Sequence, residues 1–509
     1  MSDLVVGVDV GTSSTKTILV NMRGELLAAV RQEYPMYRPH PGWAENDPDD
    51  WVKAVEDSVK QAVEQAAVEP SRVKGLCIVA QRDPIVLLDA DDRVLAPSIS
   101  WTDRRDLHGV EQVYEDFGHQ RLIETTGLIP VPGLTLPNIY WIRRHRSEAW
   151  QQTRRILATK DYVLYRLTGQ IATDTSTPSR QMLYDLRKEA WSEWICQKAE
   201  IDVDLLPPIK YRPWEVWGEL SPQAAERLGL EPGTVLAAGG GDDPSAAVGA
   251  GAIDVGDVVV GTGTAACFRV VTDRPTPDSS GQADLSPHLV PERYVYELVV
   301  TGTGTSLRWF NDTFGALGDE QRNPYERLLE EAGEVPAGAD GLLFYPYLEG
   351  ARAPHFNEDA TGVFFGILTS HTRAHCVRAI VEAVAFQYPP LLEMLESYGG
   401  AAPDEIILVD DEARSELWNQ IKADVVGLPV RTPQVLYGAA LGAAILAALA
   451  AGLFPDAAAA AEAMIIPGER YRPDPQKHAV YQKVRERYDR VYEFVDDAYR
   501  AARQAAYLS

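Results

Sequence analysis

An acid, a small hydroxyl-rich turn and a base follow one another within eight residues: Asp9, then Gly11-Thr12-Ser13-Ser14-Thr15, then Lys16. Glycine lets a backbone come close to a ligand, and turn amides with neighbouring hydroxyls wrap phosphate oxygens. Runs rich in β-branched residues flank the turn on both sides, so the pattern reads strand, turn, strand, and not the GxxxxGK[ST] loop that leads into a helix. A plain hairpin is the competing reading, but hairpin turns favour Asn-Gly or Gly-Asp chemistry over four successive hydroxyls. Gly239-Gly240-Gly241 breaks the chain sharply before the acids Asp242 and Asp243, and a second small-residue turn follows at Gly261-Thr262-Gly263-Thr264. His371 and His375, four apart, have ligand spacing for a metal but no third ligand in sequence. They read as a structural pair at a helix start capped by Thr369 or Ser370.

The elements that must position these groups alternate in type. Strands are expected at Val5–Val10, Thr17–Asn21, Leu26–Tyr34, Gly75–Val79 and Ile85–Asp89, with a helix over Trp51–Ala67 opened by Asp47-Pro48. Helices are expected at Asp106–Thr126, Pro137–Arg146 and Lys160–Leu167. A second strand series runs Asp257–Val260, Ala265–Val271 and Tyr294–Thr301. A strand-turn-strand with Gly and Thr at the turn thus occurs once in each half, which suggests duplicated domains with a nucleotide between them. Tyr437–Phe454 carries no charge over 18 residues. Its alanine and glycine content and lack of basic flanks favour a core helix over a membrane span, and Gly438 and Gly442 would let a strand or helix approach. His478–Ala506 reads as an amphipathic helix burying Tyr481, Val484, Tyr488, Val491 and Phe494.

At 509 residues the chain is too long for one core. Its net charge of −26 argues against nucleic acid or an anionic membrane as partner. The four cysteines form no CxxC and read as reduced, mostly buried residues of a cytoplasmic protein.

Six separated motifs resemble the FGGY family of carbohydrate kinases: Asp9-x-Gly11-Thr12-Ser13-Ser14-x-Lys16; Gly42-Trp43-Ala44-Glu45-x-Asp47-Pro48-x-x-Trp51; Gly239-Gly240-Gly241-Asp242 running to Gly249; Ser306-Leu307-Arg308-Trp309-Phe310; Gly362-Val363-Phe364-Phe365-Gly366 with His371-Thr372-Arg373-Ala374-His375; and Ala440-Leu441-Gly442-Ala443-Ala444. The resemblance covers nearly the whole chain. It implies an α/β fold of two actin/hexokinase-like (ribonuclease H-like) ATPase domains with an interdomain cleft. The expected boundaries are 1–247 for the sugar-binding domain, 248–466 for the nucleotide-binding domain and 467–509 for a helical tail. It implies ATP and Mg²⁺ as cofactors, a sugar or polyol as substrate, and a homodimer.

Residue by residue, the resemblance implies Asp242 as catalytic base, with a turn acid at a hinge as the bland alternative, and Asp9 as the group positioning Mg²⁺. Gly11, Thr12, Ser13, Ser14 and Lys16 would hold phosphate from one domain, and Gly263, Thr264 and Gly304 from the other. The sugar side comprises Gln81, Arg82, Asp83, Trp101, Asp103 and Asp243. Gln81-Arg82-Asp83 is nearer the glycerol-kinase pattern, where Arg82 and Asp83 could grip vicinal hydroxyls or form a simple ion pair. Gly133 stands where glycerol kinases place a tyrosine and is expected to leave room for a larger substrate, a pentulose such as xylulose. A glycerol- or erythritol-type polyol is the alternative.

The sequence departs from the family at Val409-Asp410-Asp411-Glu412-Ala413-Arg414-Ser415-Glu416. Asp411 and Glu412 occupy family glycine positions beside the nucleotide, and Glu416 falls near adenine. Side chains would fill the space, any positive φ there becomes costly, and each carboxylate about 4 Å from phosphate would cost roughly 1 kcal/mol in water. A degenerate kinase that binds sugar without efficient ATP use is therefore a further reading.

Overall fold

The computed structural model describes residues 3–262, 266–315, 323–399 and 402–506. They form two compact units. The first combines 3–253 with 271–295 and 437–466, and the second combines 254–270, 296–436 and the rest of the chain from 467.

The first unit is built on β1 (Leu4–Val10), β2 (Ser14–Asn21), β3 (Leu26–Glu33), β4 (Val73–Ala80), β5 (Val216–Glu219) and β6 (Val235–Ala237). Their order is β5-β6-β4-β1-β2-β3. β1, β2 and β3 form an antiparallel meander, while β1, β4 and β6 run parallel. All seven residues of β1 are buried, as a central strand covered on both faces requires. Alternation divides them. Leu4, Val6, Val8 and Val10 join a core with Trp51, Val55, Val59 and Val63 of the Pro48–Ala66 helix. Asp47 caps that helix, accepting from the Asp49 amide, with Pro48 in its first turn. Gly7 lies on the other face, where a Cβ would collide with the Ala440 carbonyl of the Gly438–Ala450 helix. That helix, buried along most of its length, belongs to the first unit although it lies within the expected 248–466 segment. Gly442 abuts Ser245 and Gly249 abuts Gly438, so it seats directly on the Asp242–Ala250 helix. Among the described residues, no helix is long and apolar enough to cross a membrane.

The second unit repeats the plan with β7 (Val258–Thr262), β8 (Ala266–Thr272), β9 (Tyr294–Val300), β10 (Ile406–Asp410), β11 (Val430–Pro433) and β12 (Pro467–Tyr471), in the order β9-β8-β7-β10-β11-β12. β7 is antiparallel to β8 and parallel to β10; β10 is parallel to β11, and β11 antiparallel to β12. This is the duplicated ribonuclease H-like arrangement that the motifs imply.

Three local expectations change. The helix expected over Asp106–Thr126 is two helices, Leu107–Phe117 and His119–Thr126, parted at Gly118, whose φ is 73°. Thr372, not Thr369 or Ser370, caps the Arg373–Phe386 helix, in a reciprocal box with His375. His371 Nδ1 accepts from the Leu368 amide, so both histidines serve local structure. The Pro475–Ala506 helix buries Tyr481, Tyr488, Tyr492 and Tyr499, whereas Phe494 is 73% exposed. The buried stripe passes through Tyr492, and Phe494, two residues on, is turned about 200° away from it.

Candidate active site

The register of β1 and β2 sets Asp9 directly opposite Lys16, on the same face of the hairpin. Gly11, Thr12 and Ser13 form the turn, closed by the Gly11 amide donating to the Ser14 carbonyl at 3.1 Å. Tyr34, just past β3, staples it. The Tyr34 amide donates to the Ser13 carbonyl at 3.2 Å, and the hydroxyl donates to the Gly11 carbonyl. Burial and the charges of Asp9 and Asp242 hold the Tyr34 hydroxyl far above its ordinary pKa, so it remains a donor. Hairpin and cradle are thus one object. Ser14 is buried at the start of β2, whereas Ser13 is exposed and Thr12 half-buried. Thr12 Oγ1 accepts from Trp101 Nε1 at 2.8 Å, which brings Trp101 to the turn. Sequence reasoning missed Tyr34 because a single tyrosine after a strand carries no motif.

β4 ends beside this turn. The Gln81 amide donates to the Val10 carbonyl at 3.1 Å, and the Ala80 amide to the Gly240 carbonyl at 3.2 Å. The carboxyl ends of β1 and β4 and the chain leaving β6 therefore lie side by side, where open α/β sheets bind ligands. Each glycine of the Gly239–Gly241 segment answers a separate crowding. A Cβ at Gly239, whose φ is +68°, would strike the Ile78 carbonyl; one at Gly240 would lie 2.5 Å from Ser176 Oγ; one at Gly241 would collide with the Arg82 side chain.

Arg82, 2% exposed, passes over Gly241 into a ring of oxygens. Its Nη2 bonds Asp243 Oδ2 at 3.2 Å, its Nη1 donates to Ser286 Oγ at 2.9 Å, and its Nε lies 3.9 Å from Asp242 Oδ1. Asp242 begins its helix, with the Asp243 amide donating to Asp242 Oδ1 at 2.9 Å. Burial, then repulsion by Asp243, push the Asp242 carboxyl well above the usual carboxylate range; Arg82 opposes the rise and Asp9 adds to it. The structure therefore gathers Asp9, Arg82, Asp242 and Asp243 at one place. Gln81 joins them from the end of β4. Its side chain is 3% exposed, and neither end of its amide has a hydrogen-bond partner among the described residues.

Other expected sugar contacts are engaged elsewhere. Asp83 is buried, takes Arg180 Nε at 3.3 Å, and is pushed up by burial. Asp103, 1% exposed, accepts from the Ala44 amide at 2.5 Å and from Arg105 Nε at 2.9 Å and Nη2 at 2.7 Å. Arg105 is in turn stacked 3.8 Å over Trp43 and bonded to Glu45 at 2.7 Å. Asp103 is thereby part of a buried charge knot. At Gly133, with φ of +95°, a Cβ would collide with the Trp101 carbonyl. The room expected from this glycine is taken by the backbone of Trp101, and no larger residue fits there.

In the second unit, Gly263 and Thr264 lie outside the described residues. Gly304 opens the Gly304–Phe314 helix, whose first amides point to its N-terminal end. The acidic segment is resolved differently from expectation. The left-handed residue is Asp410, with φ of 70°, while Asp411 has ordinary α backbone. Glu412 turns inward and is 7% exposed, its Oε2 bonded at 3.0 Å to Lys422 Nζ, which is fully buried beneath the rings of Trp418 and Tyr388. Burial raises the Glu412 pKa and lowers that of Lys422, and each counteracts the shift of the other. Glu412 thus does not present its charge to a ligand, leaving Asp411 exposed beside it. Glu416 is the exposed first residue of the Glu416–Val426 helix, capped by Ser415.

Models of the FGGY family of carbohydrate kinases match residues 4–249 with the N-terminal domain and 258–451 with the C-terminal domain. The xylulose kinase of Bacillus subtilis (strain 168) is 31% identical over 493 residues, 97% of each chain. That of Escherichia coli (strain K12) is 33% identical, over 96% of this chain and 99% of its own. The crystal structure of xylulose kinase from Rhodospirillum rubrum superposes with a TM-score of 0.87 at 30% identity, covering 98% of this chain and all of that one. The chain belongs to the FGGY family of carbohydrate kinases and is, as such, a sugar kinase that uses ATP.

Proposed function

We propose that this kinase phosphorylates a hydroxyl of a pentulose such as xylulose, with Asp242 as the base. The observation that carries the reading of Asp242 is its setting. It stands at the carboxyl end of the parallel strands, beside a phosphate-compatible turn, with its proton affinity raised by burial and by Asp243. A carboxylate so tuned accepts a proton as the hydroxyl attacks. Full-length likeness to xylulose kinases supports the pentulose. Gln81 offers a buried amide acceptor and donors to sugar hydroxyls.

The residues present fit ATP phosphates and a divalent cation. The Gly11–Ser14 turn, its hydroxyls and Lys16 suit phosphate oxygens, and Asp9 with Asp242 and Asp243 provides the excess of carboxylate oxygen that a hard cation such as Mg²⁺ prefers. ATP supplies the phosphoryl group when bound. The chain's own part is to orient the hydroxyl, hold the phosphates and take the proton at Asp242, since this transfer depends on alignment and charge neutralisation. The four cysteines stay unpaired, in keeping with a cytoplasmic enzyme.

A coupled assay of ADP release over xylulose, ribulose, glycerol and erythritol at millimolar ATP and Mg²⁺ tests the reading. Turnover is expected to be fastest with a pentulose. Preference for glycerol or erythritol would transfer the assignment to polyols, as the Gln81-Arg82-Asp83 pattern allows, and no turnover with any would refute it. Sedimentation of the same preparation tests the homodimer that family likeness supports.

A further inference from the structure

Bonded to the backbone on either side of Gly239-Gly240 is a second charge network that the phosphoryl-transfer reading does not use. Lys160 is fully buried, and its Nζ bonds Asp161 Oδ1 at 2.8 Å and Asp174 Oδ1 at 3.3 Å and donates to the Ala238 carbonyl at 3.1 Å. The other Asp174 oxygen accepts from the Ser176 amide at 2.6 Å and from Ser176 Oγ at 2.5 Å. Ser176 Oγ in turn accepts from the Gly241 amide at 3.1 Å. Asp174 and Ser176 are themselves fully buried. The network therefore grips backbone at both ends of the three-glycine segment, Ala238 on one side and Gly241 on the other, and Gly241 is the residue before Asp242.

Three glycines in a row have wide conformational freedom, so the bonds that restrain them decide where the next side chain sits. Asp174 fixes the rotamer and hydrogen direction of Ser176, because a hydroxyl donating to a carboxylate has only its lone pairs left for Gly241. Buried ionic networks of this kind contribute little net stability once desolvation is counted. Their consequence is geometric, and catalytic groups lose rate when displaced by small distances.

We propose that Ser176, held by Asp174 and Lys160, is a positioning residue that sets the Gly241 backbone and, through it, the carboxylate of Asp242. The inference rests on the reading of Asp242 as the base.

The test is the kinetics of Ser176→Ala, which removes the acceptor at nearly constant volume. The expected result is a kcat about tenfold lower, with KM for ATP and for sugar each within twofold of wild type, and no further loss when Ser176→Ala is added to Asp242→Asn. A kcat within twofold of wild type, or a rise in KM that accounts for the whole loss of kcat/KM, overturns the proposal. If Ser176→Ala fails to fold, hydrogen exchange on the wild-type enzyme decides. A Gly241 amide as protected as those of β4 supports the restraint, and exchange as fast as an open loop overturns it. Asp242→Asn alone separates the two readings. Retained turnover there removes the base, whereas turnover lost in Asp242→Asn but kept in Ser176→Ala removes only the positioning role.

Discussion

Asp242 is surrounded by more negative charge than its one close arginine balances, and this imbalance makes its chemistry testable. Asp242→Asn is expected to lower kcat by about 10²–10⁴-fold, the usual range for a positioned base, with sugar affinity by calorimetry near wild type; turnover within tenfold of wild type would remove the assignment. Stability should carry the same signature. Burial and Asp243 raise the folded-state pKa of Asp242, so between the ordinary carboxylate value and the raised one the folded chain binds more protons than the unfolded. The stability this group contributes is full below the ordinary value and lost as pH rises through the raised one. Melting temperature should accordingly fall with pH more steeply in wild type than in Asp242→Asn, measured without nucleotide or divalent cation, and parallel curves would show that no such shift exists. Asp242, Asp9 and Lys16 could be singled out from the sequence as candidates because each sits in a short motif. Tyr34 and Ser176 were not, since their roles come from reaching a turn 23 or 65 residues away.

At the scale of elements, the acidic segment after β10 shows what a register can and cannot reveal. Alignment of Ala413-Arg414-Ser415 identified two side chains in family glycine positions, but not where the second one points. Its partner Lys422 lies ten residues on, in the Glu416–Val426 helix, and nothing in the local pattern marks Lys422 as buried. With Glu412 neutralised in the interior, the expected repulsion toward a polyanion is reduced to Asp411. Lys422→Met leaves a buried carboxylate without its cation and should cost about 3–5 kcal/mol in urea unfolding. The double change Lys422→Met/Glu412→Leu should recover most of that loss, since hydrophobic replacement of a whole buried pair is often neutral. A double variant as unstable as the single one would mean that the loop depends on the pair itself. A similar argument applies to the seat of the Asp242–Ala250 helix. Gly249→Ala and Gly442→Ala each place a methyl inside the contact radius of a facing carbonyl, and each is expected to destabilise by about 1–3 kcal/mol or more, read by the same denaturant titration.

Across the whole molecule, the duplicated strand order was legible through two glycine- and threonine-rich turns and the family motifs, but the path of the chain between units was not. Its lack of charge and its alanine and glycine content identified the Gly438–Ala450 helix as core and its glycines as points of close approach, yet sequence position put it with the later domain. In the structure it completes the first unit, packed on Gly7 of β1, on Gly75 of β4 and on the helix that begins with Asp242. Such a helix, with almost no polar face, cannot be left out without exposing the apolar surface it covers. A fragment ending at Ile253 therefore lacks one layer of its own core, although it contains the whole of the region matched as the N-terminal domain. It is expected to be aggregated or to unfold without a cooperative transition. Residues 1–295 joined by a flexible Gly/Ser linker to 437–466 should unfold cooperatively, because every segment of the unit is then present. Circular dichroism melts of the two proteins decide between the alternatives: a cooperative melt from the 1–253 fragment alone would show that the late helix is an accessory and not a structural layer of the unit that carries Asp242.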